Sequence, residues 1–165
     1  MMDDRLFEQA QALLILCQSK GLKITTAESC TGGLLAAALT EVPGSSDVFE
    51  RGFVTYSNEA KQMLLGVSPQ TIESHGAVSR ECAQAMAAGA LSRAPVDLAV
   101  SVTGIAGPGG EVAGKPVGLV HFGAASRGGQ RLDETRKYGD IGRSQVRHAS
   151  VAQALAMLHT MAQKE

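Results

Sequence analysis

The sequence predicts an α/β fold, a three-layer α/β/α sandwich around a mixed sheet. Three observations carry this. Helical and strand-like segments alternate through the first two thirds of the chain, as in βαβ units. Val96 to Val102 is a short, largely apolar run, as expected of a strand buried on both faces. Two late strand-like segments joined by Arg127-Gly128-Gly129 read as a hairpin, which adds antiparallel pairing. The 165 residues fit one domain, 1–165, with a proper core. Hydrophobic residues make up 44% but aromatics only 4%, so small aliphatic side chains must let helices pack closely on the sheet.

The elements follow in order. Asp3 or Asp4 caps a first helix reaching about Ser19, with Leu6, Ala10, Leu13, Leu14 and Cys17 at helical spacing. Lys20-Gly21 ends it. Leu22 to Glu28 reads as a strand and Gly32 to Thr40 as an Ala/Leu-rich helix. After a Pro-Gly-Ser loop, Arg51 to Ser57 reads as a second strand. Glu59 to Leu65 is a short helix closed by Gly66, and Ser68-Pro69 opens another to about Ser74. Ser79 caps a long Ala-rich helix that stops before Pro95. The Val96 to Val102 strand empties into the Gly-rich stretch Thr103 to Gly110. Val117 to Ala125 and Gln130 to Lys137 form the hairpin. The second alternates only weakly, so it is expected at a sheet edge. Ser144 to Gln163 closes the chain as a helix.

Composition excludes several function classes. A net charge of −1 gives no electrostatic footprint for nucleic acid or an anionic membrane. No apolar run approaches the roughly 20 residues that span a bilayer. The Met-Met-Asp-Asp start has no basic region of a signal peptide. Cys17, Cys30 and Cys82 are scattered and odd in number, which argues against a disulfide framework and for a reducing cytoplasm. His75, His121, His148 and His159 lack metal-ligand spacing, so neither metal nor cofactor is expected. Ala-rich helices and an edge strand are compatible with a homo-oligomer.

Chemistry centres on Thr25-Thr26-Ala27-Glu28-Ser29-Cys30-Thr31-Gly32-Gly33, which puts a serine where a strand gives way to a helix. Such sites lie at the carboxyl edge of a sheet, where open α/β folds keep their crevices. Ser29 is either a helix cap or a nucleophile facing free amide donors; the segment alone allows both. Cys30 as nucleophile is disfavoured, because a continuing strand would point it away from Ser29. Lys61 is the basic partner on offer. With Asn58 as N-cap it sits at N3, where the helix dipole and partial burial lower a lysine pKa from its usual value of about 10.4. A solvated surface lysine is the alternative. Tyr56 ends the preceding strand. The Thr103 to Gly110 stretch has no P-loop or dinucleotide pattern, but its amides suit a polar pocket. Arg143 and Arg147 share one face of the last helix, suited to phosphate or carboxylate or simply to solvent.

Together, Thr-Thr-Ala-Glu-Ser-Cys-Thr-Gly-Gly, Phe-Val-Thr-Tyr-Ser-Asn-Glu-Ala-Lys, His-Gly-Ala-Val-Ser and Gly-Ile-Ala-Gly-Pro resemble the CinA C-terminal domain family, competence/damage-inducible protein A. The resemblance runs from about Leu6 to Leu158. It implies hydrolysis of the carboxamide of nicotinamide mononucleotide, without metal or cofactor. It casts Ser29 as nucleophile, Lys61 as base and Tyr56 as a pocket residue assisting Lys61. Thr31, Gly32 and Gly33 would supply oxyanion-hole amides. Thr103 and Gly104 to Gly107 would line the substrate pocket, and Arg143, or less readily Arg147, would hold the phosphate. Longer members carry a further domain resembling molybdopterin-binding proteins, whose activity is not carried over to these residues. The competing reading is a non-catalytic nucleotide-binding module, which would be free to lose the lysine. No role is read for residues 110–115.

Overall fold

The computed structural model describes residues 2–165. Helix α1 (Asp4–Lys20) is capped by the Asp3 carboxylate and closed by Gly21 in the left-handed conformation. It leads to β1 (Ile24–Glu28), α2 (Leu34–Thr40) and β2 (Phe49–Val54). Next come α3 (Asn58–Leu65), α4 (Pro69–His75) and α5 (Arg80–Arg93). The chain ends with β3 (Leu98–Gly104), β4 (Leu119–Ser126), β5 (Arg131–Lys137) and α6 (Arg143–Gln163).

The five strands lie in the order β2-β1-β3-β4-β5. β2, β1 and β3 run parallel; β4 and β5 return antiparallel. The sheet is therefore mixed, as expected, with β5 at an edge. Alternation along the strands feeds two cores. Ile24, Leu98, Val100, Val102, Val120 and Phe122 face α1, α2 and α6. Ala27, Ala99 and Ala125 face α5, with Leu65 of α3 beside them. The expected three layers follow from this two-sided burial.

Several boundaries differ from the sequence expectation. β2 starts and ends earlier than Arg51 to Ser57, because Thr55 makes the last ladder bond, donating its N–H to Glu28 O at 2.8 Å, and Ser57 turns away to cap α3. β3 begins at Leu98 rather than Val96, since Val96 is held in a tight turn on Ala94 O. α2 begins at Leu34 rather than Gly32, because Gly33 takes a φ of 99° that helix residues do not adopt.

One close contact couples the Ala-rich helix to the site. A Cβ added at Gly89 of α5 would lie 1.9 Å from the carbonyl oxygen of Leu65, the last residue of α3. Gly89→Ala should therefore push α3 outward and destabilise the fold by about 1–3 kcal/mol, despite the better helix propensity of alanine. A thermal melt checks this, at about 2–4 °C of lost Tm per kcal/mol. A variant that melts higher than the parent would show that α3 yields freely.

Candidate active site

β1 delivers Ser29 to the carboxyl edge of the sheet. Its N–H donates to Val102 O at 3.0 Å, pinning it to β3, and its carbonyl accepts from Gly32 N–H at 2.9 Å. Successive residues point to opposite faces. Cys30 accordingly joins the core beneath α1, α2 and α6, and burial pushes its thiol up to about 11. Ser29 instead meets Lys61, which α3 presents from the other side.

Lys61 is 1% exposed, and its Nζ lies 3.0 Å from Ser29 Oγ and donates to the Thr55 carbonyl at 2.8 Å. Burial holds its pKa below the ordinary lysine value; the Cys82 and Cys30 thiols oppose the shift. A neutral amine has two N–H groups and one lone pair. One N–H serves Thr55, and the lone pair is free to accept the Ser29 hydroxyl proton. An ammonium in the same place could donate to both the Thr55 carbonyl and the Ser29 hydroxyl, so burial is what favours the neutral form. Lys61 stands one position later than expected. The cap of α3 is Ser57, whose hydroxyl accepts from Ala60 N–H, so Asn58 is N1 and Lys61 is N4.

Two expected oxyanion donors are already committed. Glu28, fully buried, turns its carboxylate under α2 and accepts from the N–H groups of Gly33, Leu35 and Ala36 at 3.2, 2.9 and 3.1 Å. Gly32 N–H is spent on Ser29 O. The amides of Gly32 and Gly33 therefore cannot receive a substrate oxyanion, because other oxygens already hold them. Glu28 also cancels the positive end of α2. The carboxylate reads in sequence as one more strand residue, so only its burial reveals it as the helix cap.

Tyr56 sits apart from Lys61. It is 61% exposed, and its hydroxyl accepts from Arg143 Nη2 at 2.9 Å. The backbone carbonyl of Thr55 takes the place expected for Tyr56 beside the lysine. Arg143 Nη1 donates to Gly107 O at 2.9 Å, joining α6 to the Gly-rich loop. Thr103 is buried and donates to Ala77 O at 2.8 Å. Arg147 turns the other way. Its Nε and Nη2 donate to the carbonyls of Cys30 and Thr31 at 3.2 and 2.9 Å, so it is not presented to the pocket as a free anion ligand.

These residues enclose a cavity of about 220 Å³ lined by Ser29, Cys30, Tyr56, Asn58, Lys61, Ala77, Val78, Thr103, Gly104, Ala106 and Arg143. No carboxylate lines it, and Arg143 is its exposed cation. Ala77 and Val78, from the turn between α4 and α5, carry no reactive group; they lie in the His-Gly-Ala-Val-Ser motif, but their chemistry alone assigns them no role in the sequence. Residues 110–115 close on themselves through Val112 and Lys115, and Lys115 Nζ donates to the His75 carbonyl just before that turn. A larger groove of about 520 Å³ between α1, β5 and α6 has neither serine nor lysine on its walls. Among the described residues, no cluster of side chains is arranged to hold a metal ion, and no helix is long and apolar enough to cross a membrane.

The family model of the CinA C-terminal domain matches residues 7–162. The chain belongs to this family. It is 51% identical over 138 residues to the nicotinamide-nucleotide amidohydrolase PncC of Enterobacter agglomerans, a match covering 84% of both chains. It is 60% identical over 111 residues to a CinA-like protein of Chloroherpeton thalassium, covering 67% of this chain and 26% of that one. The chain spans about a third of the length of several curated CinA relatives it matches. Among solved structures, competence/damage inducible protein CihA of Agrobacterium tumefaciens superposes with a TM-score of 0.96 at 51% identity, over 98% of each chain. Most of these CinA-family proteins bear only the competence/damage name; PncC is named for an activity.

Proposed function

We propose that this CinA domain is a cytoplasmic amidase that hydrolyses the carboxamide of nicotinamide mononucleotide to nicotinate mononucleotide and ammonia. The observation that carries the reading is the buried Lys61 amine 3.0 Å from Ser29 Oγ, inside a cavity whose exposed cation is Arg143. The 51% identity to PncC supports the choice of substrate.

The chemistry is acyl transfer. Lys61 Nζ, neutral, accepts the Ser29 hydroxyl proton as Oγ attacks the carboxamide carbon. The carbonyl π electrons move to oxygen. The backbone N–H groups of Cys30 and Thr31, which have no partner among the described hydrogen bonds, are the donors nearest Ser29 in sequence and receive this charge. As the tetrahedral species collapses, the Lys61 ammonium returns the proton to the departing nitrogen, which leaves as ammonia. Water, deprotonated by the same amine, then cleaves the acyl ester on Ser29 and restores the hydroxyl.

Arg143 spends one N–H on Tyr56 and one on Gly107, leaving donors of its planar fork for the substrate phosphate. Thr103, Gly104 and the Gly107 loop shape the opposite wall. The Ser29–Lys61 pair supports an enzyme over a non-catalytic binding module, because binding alone does not require a desolvated amine.

The test is ammonia release from nicotinamide mononucleotide by the purified protein, with the second product identified by chromatography. Stoichiometric ammonia and nicotinate mononucleotide are expected. A ligand that binds and is recovered unchanged would leave only the binding module.

A further inference from the structure

The geometry points to Arg147 as a positioning residue that sets the oxyanion hole by holding the Ser29 turn from its carbonyl side. This inference rests on the acyl-transfer reading above. Arg147 stands one helical turn after Arg143 on α6 and lies half-buried against the back of the turn. Its guanidinium fork takes two consecutive carbonyls, Cys30 O at 3.2 Å and Thr31 O at 2.9 Å. The same guanidinium passes over Gly32, where an added Cβ would sit 3.6 Å from Nη2.

A trans peptide unit is planar, with its C=O and N–H pointing in opposite directions. Holding Cys30 O therefore aims the Thr31 N–H directly away from Arg147. The preceding peptide is fixed in the same manner, because Gly32 N–H holds Ser29 O and so orients the Cys30 N–H. Two adjacent amide donors following the nucleophile are thus locked through their own carbonyls. The cation on Cys30 O also withdraws electron density through the peptide and strengthens the Thr31 N–H as a donor. This matters because Glu28 has cancelled the positive end of α2 and taken the Gly33 amide. What the helix does not provide, α6 restores through Arg147. Donors held in place before the reaction are what make oxyanion stabilisation effective.

The division of labour between the two arginines is measurable. Arg143 contacts the substrate phosphate, so its loss raises KM. Arg147 acts through the peptide after Ser29, so its loss lowers kcat and leaves KM nearly unchanged. The experiment follows Arg147→Met and Arg147→Lys in two assays: turnover of nicotinamide mononucleotide, and labelling of Ser29 by an alkyl fluorophosphonate. The probe needs the nucleophile and the oxyanion donors but carries no nucleotide.

Arg147→Met should slow labelling and kcat by a common factor of about 10²–10³, the usual effect of losing one oxyanion donor. Arg147→Lys keeps the charge without the fork and should fall between it and the parent, which settles the matter if the methionine variant does not fold. Labelling at the parent rate in the lysine or methionine variant, with turnover lost only through KM, would overturn the inference and make Arg147 a phosphate ligand. A parent protein that labels at Ser29 but releases no ammonia overturns the substrate, while the labelling rates still decide the role of Arg147. A parent that does not label at Ser29 overturns both.

Discussion

Ser29→Ala should lower kcat for nicotinamide mononucleotide by a factor on the order of 10⁴–10⁶, the loss seen when a catalytic nucleophile is removed from a unit that acts together. KM should change little, because Arg143 and the Thr103–Gly107 wall remain. Loss on this scale follows from geometry that offers no substitute. Cys30 also borders the cavity, but its side chain packs into the core of α1, α2 and α6, and burial raises its thiol pKa to about 11, so it stays protonated near neutral pH. Steady-state ammonia release measures the effect. A variant retaining a tenth of parental activity would place the nucleophile elsewhere.

Lys61→Met should lower kcat by about 10²–10⁴, the usual contribution of a positioned base. It should also raise stability at neutral pH. Unfolded Lys61 titrates near about 10.4, and burial places the folded value below this. Between the two values the unfolded chain holds a proton that the folded chain does not, so parental stability rises with pH across that window. It is lost as pH falls through the folded value and complete above the unfolded one. The methionine variant carries no such penalty. Its advantage in Tm should be largest at the acidic end and shrink as pH approaches about 10. Melts of both proteins from pH 6 upward test the sign. A variant gap that widens with pH would mean that Lys61 is held as a cation. Activity of the parent should likewise rise with pH through the lowered Lys61 value, since the neutral amine is the working form.

The layers and the site were not equally legible in the sequence. Periodicity picks out α1 residue by residue, because Leu6, Ala10, Leu13, Leu14 and Cys17 all face the core. The mixed sheet follows from alternating elements and one glycine-rich hairpin. The boundaries around the site are harder, because long-range bonds set them there. β2 stops where Thr55 makes its last bond to Glu28, and α2 waits for Gly33 to finish its turn. Lys61 can be singled out as a residue type out of place in the first turn of its helix, and Ser29 by its position where a strand gives way to a helix, but their approach depends on how the fold packs α3 beside the end of β1. Glu28, the Thr55 carbonyl and the Arg147 clamp escape sequence reading for one reason. Each acts through backbone groups brought together by the tertiary fold, and backbone groups have no sequence signature. Tyr56 shows the converse. Its position five residues before Lys61 suggests a partnership, but the chain turns at Ser57 and hands the tyrosine to Arg143 instead.

The central claim is that Ser29 carries the acyl group while Lys61 manages the proton. Acid-quench mass spectrometry on excess enzyme during a single turnover tests it directly. The account predicts a transient acyl ester of nicotinate mononucleotide on the Ser29 peptide, absent in Ser29→Ala. Full conversion to nicotinate mononucleotide with Ser29 unmodified at every quench time, and conversion undiminished in Ser29→Ala, would contradict it.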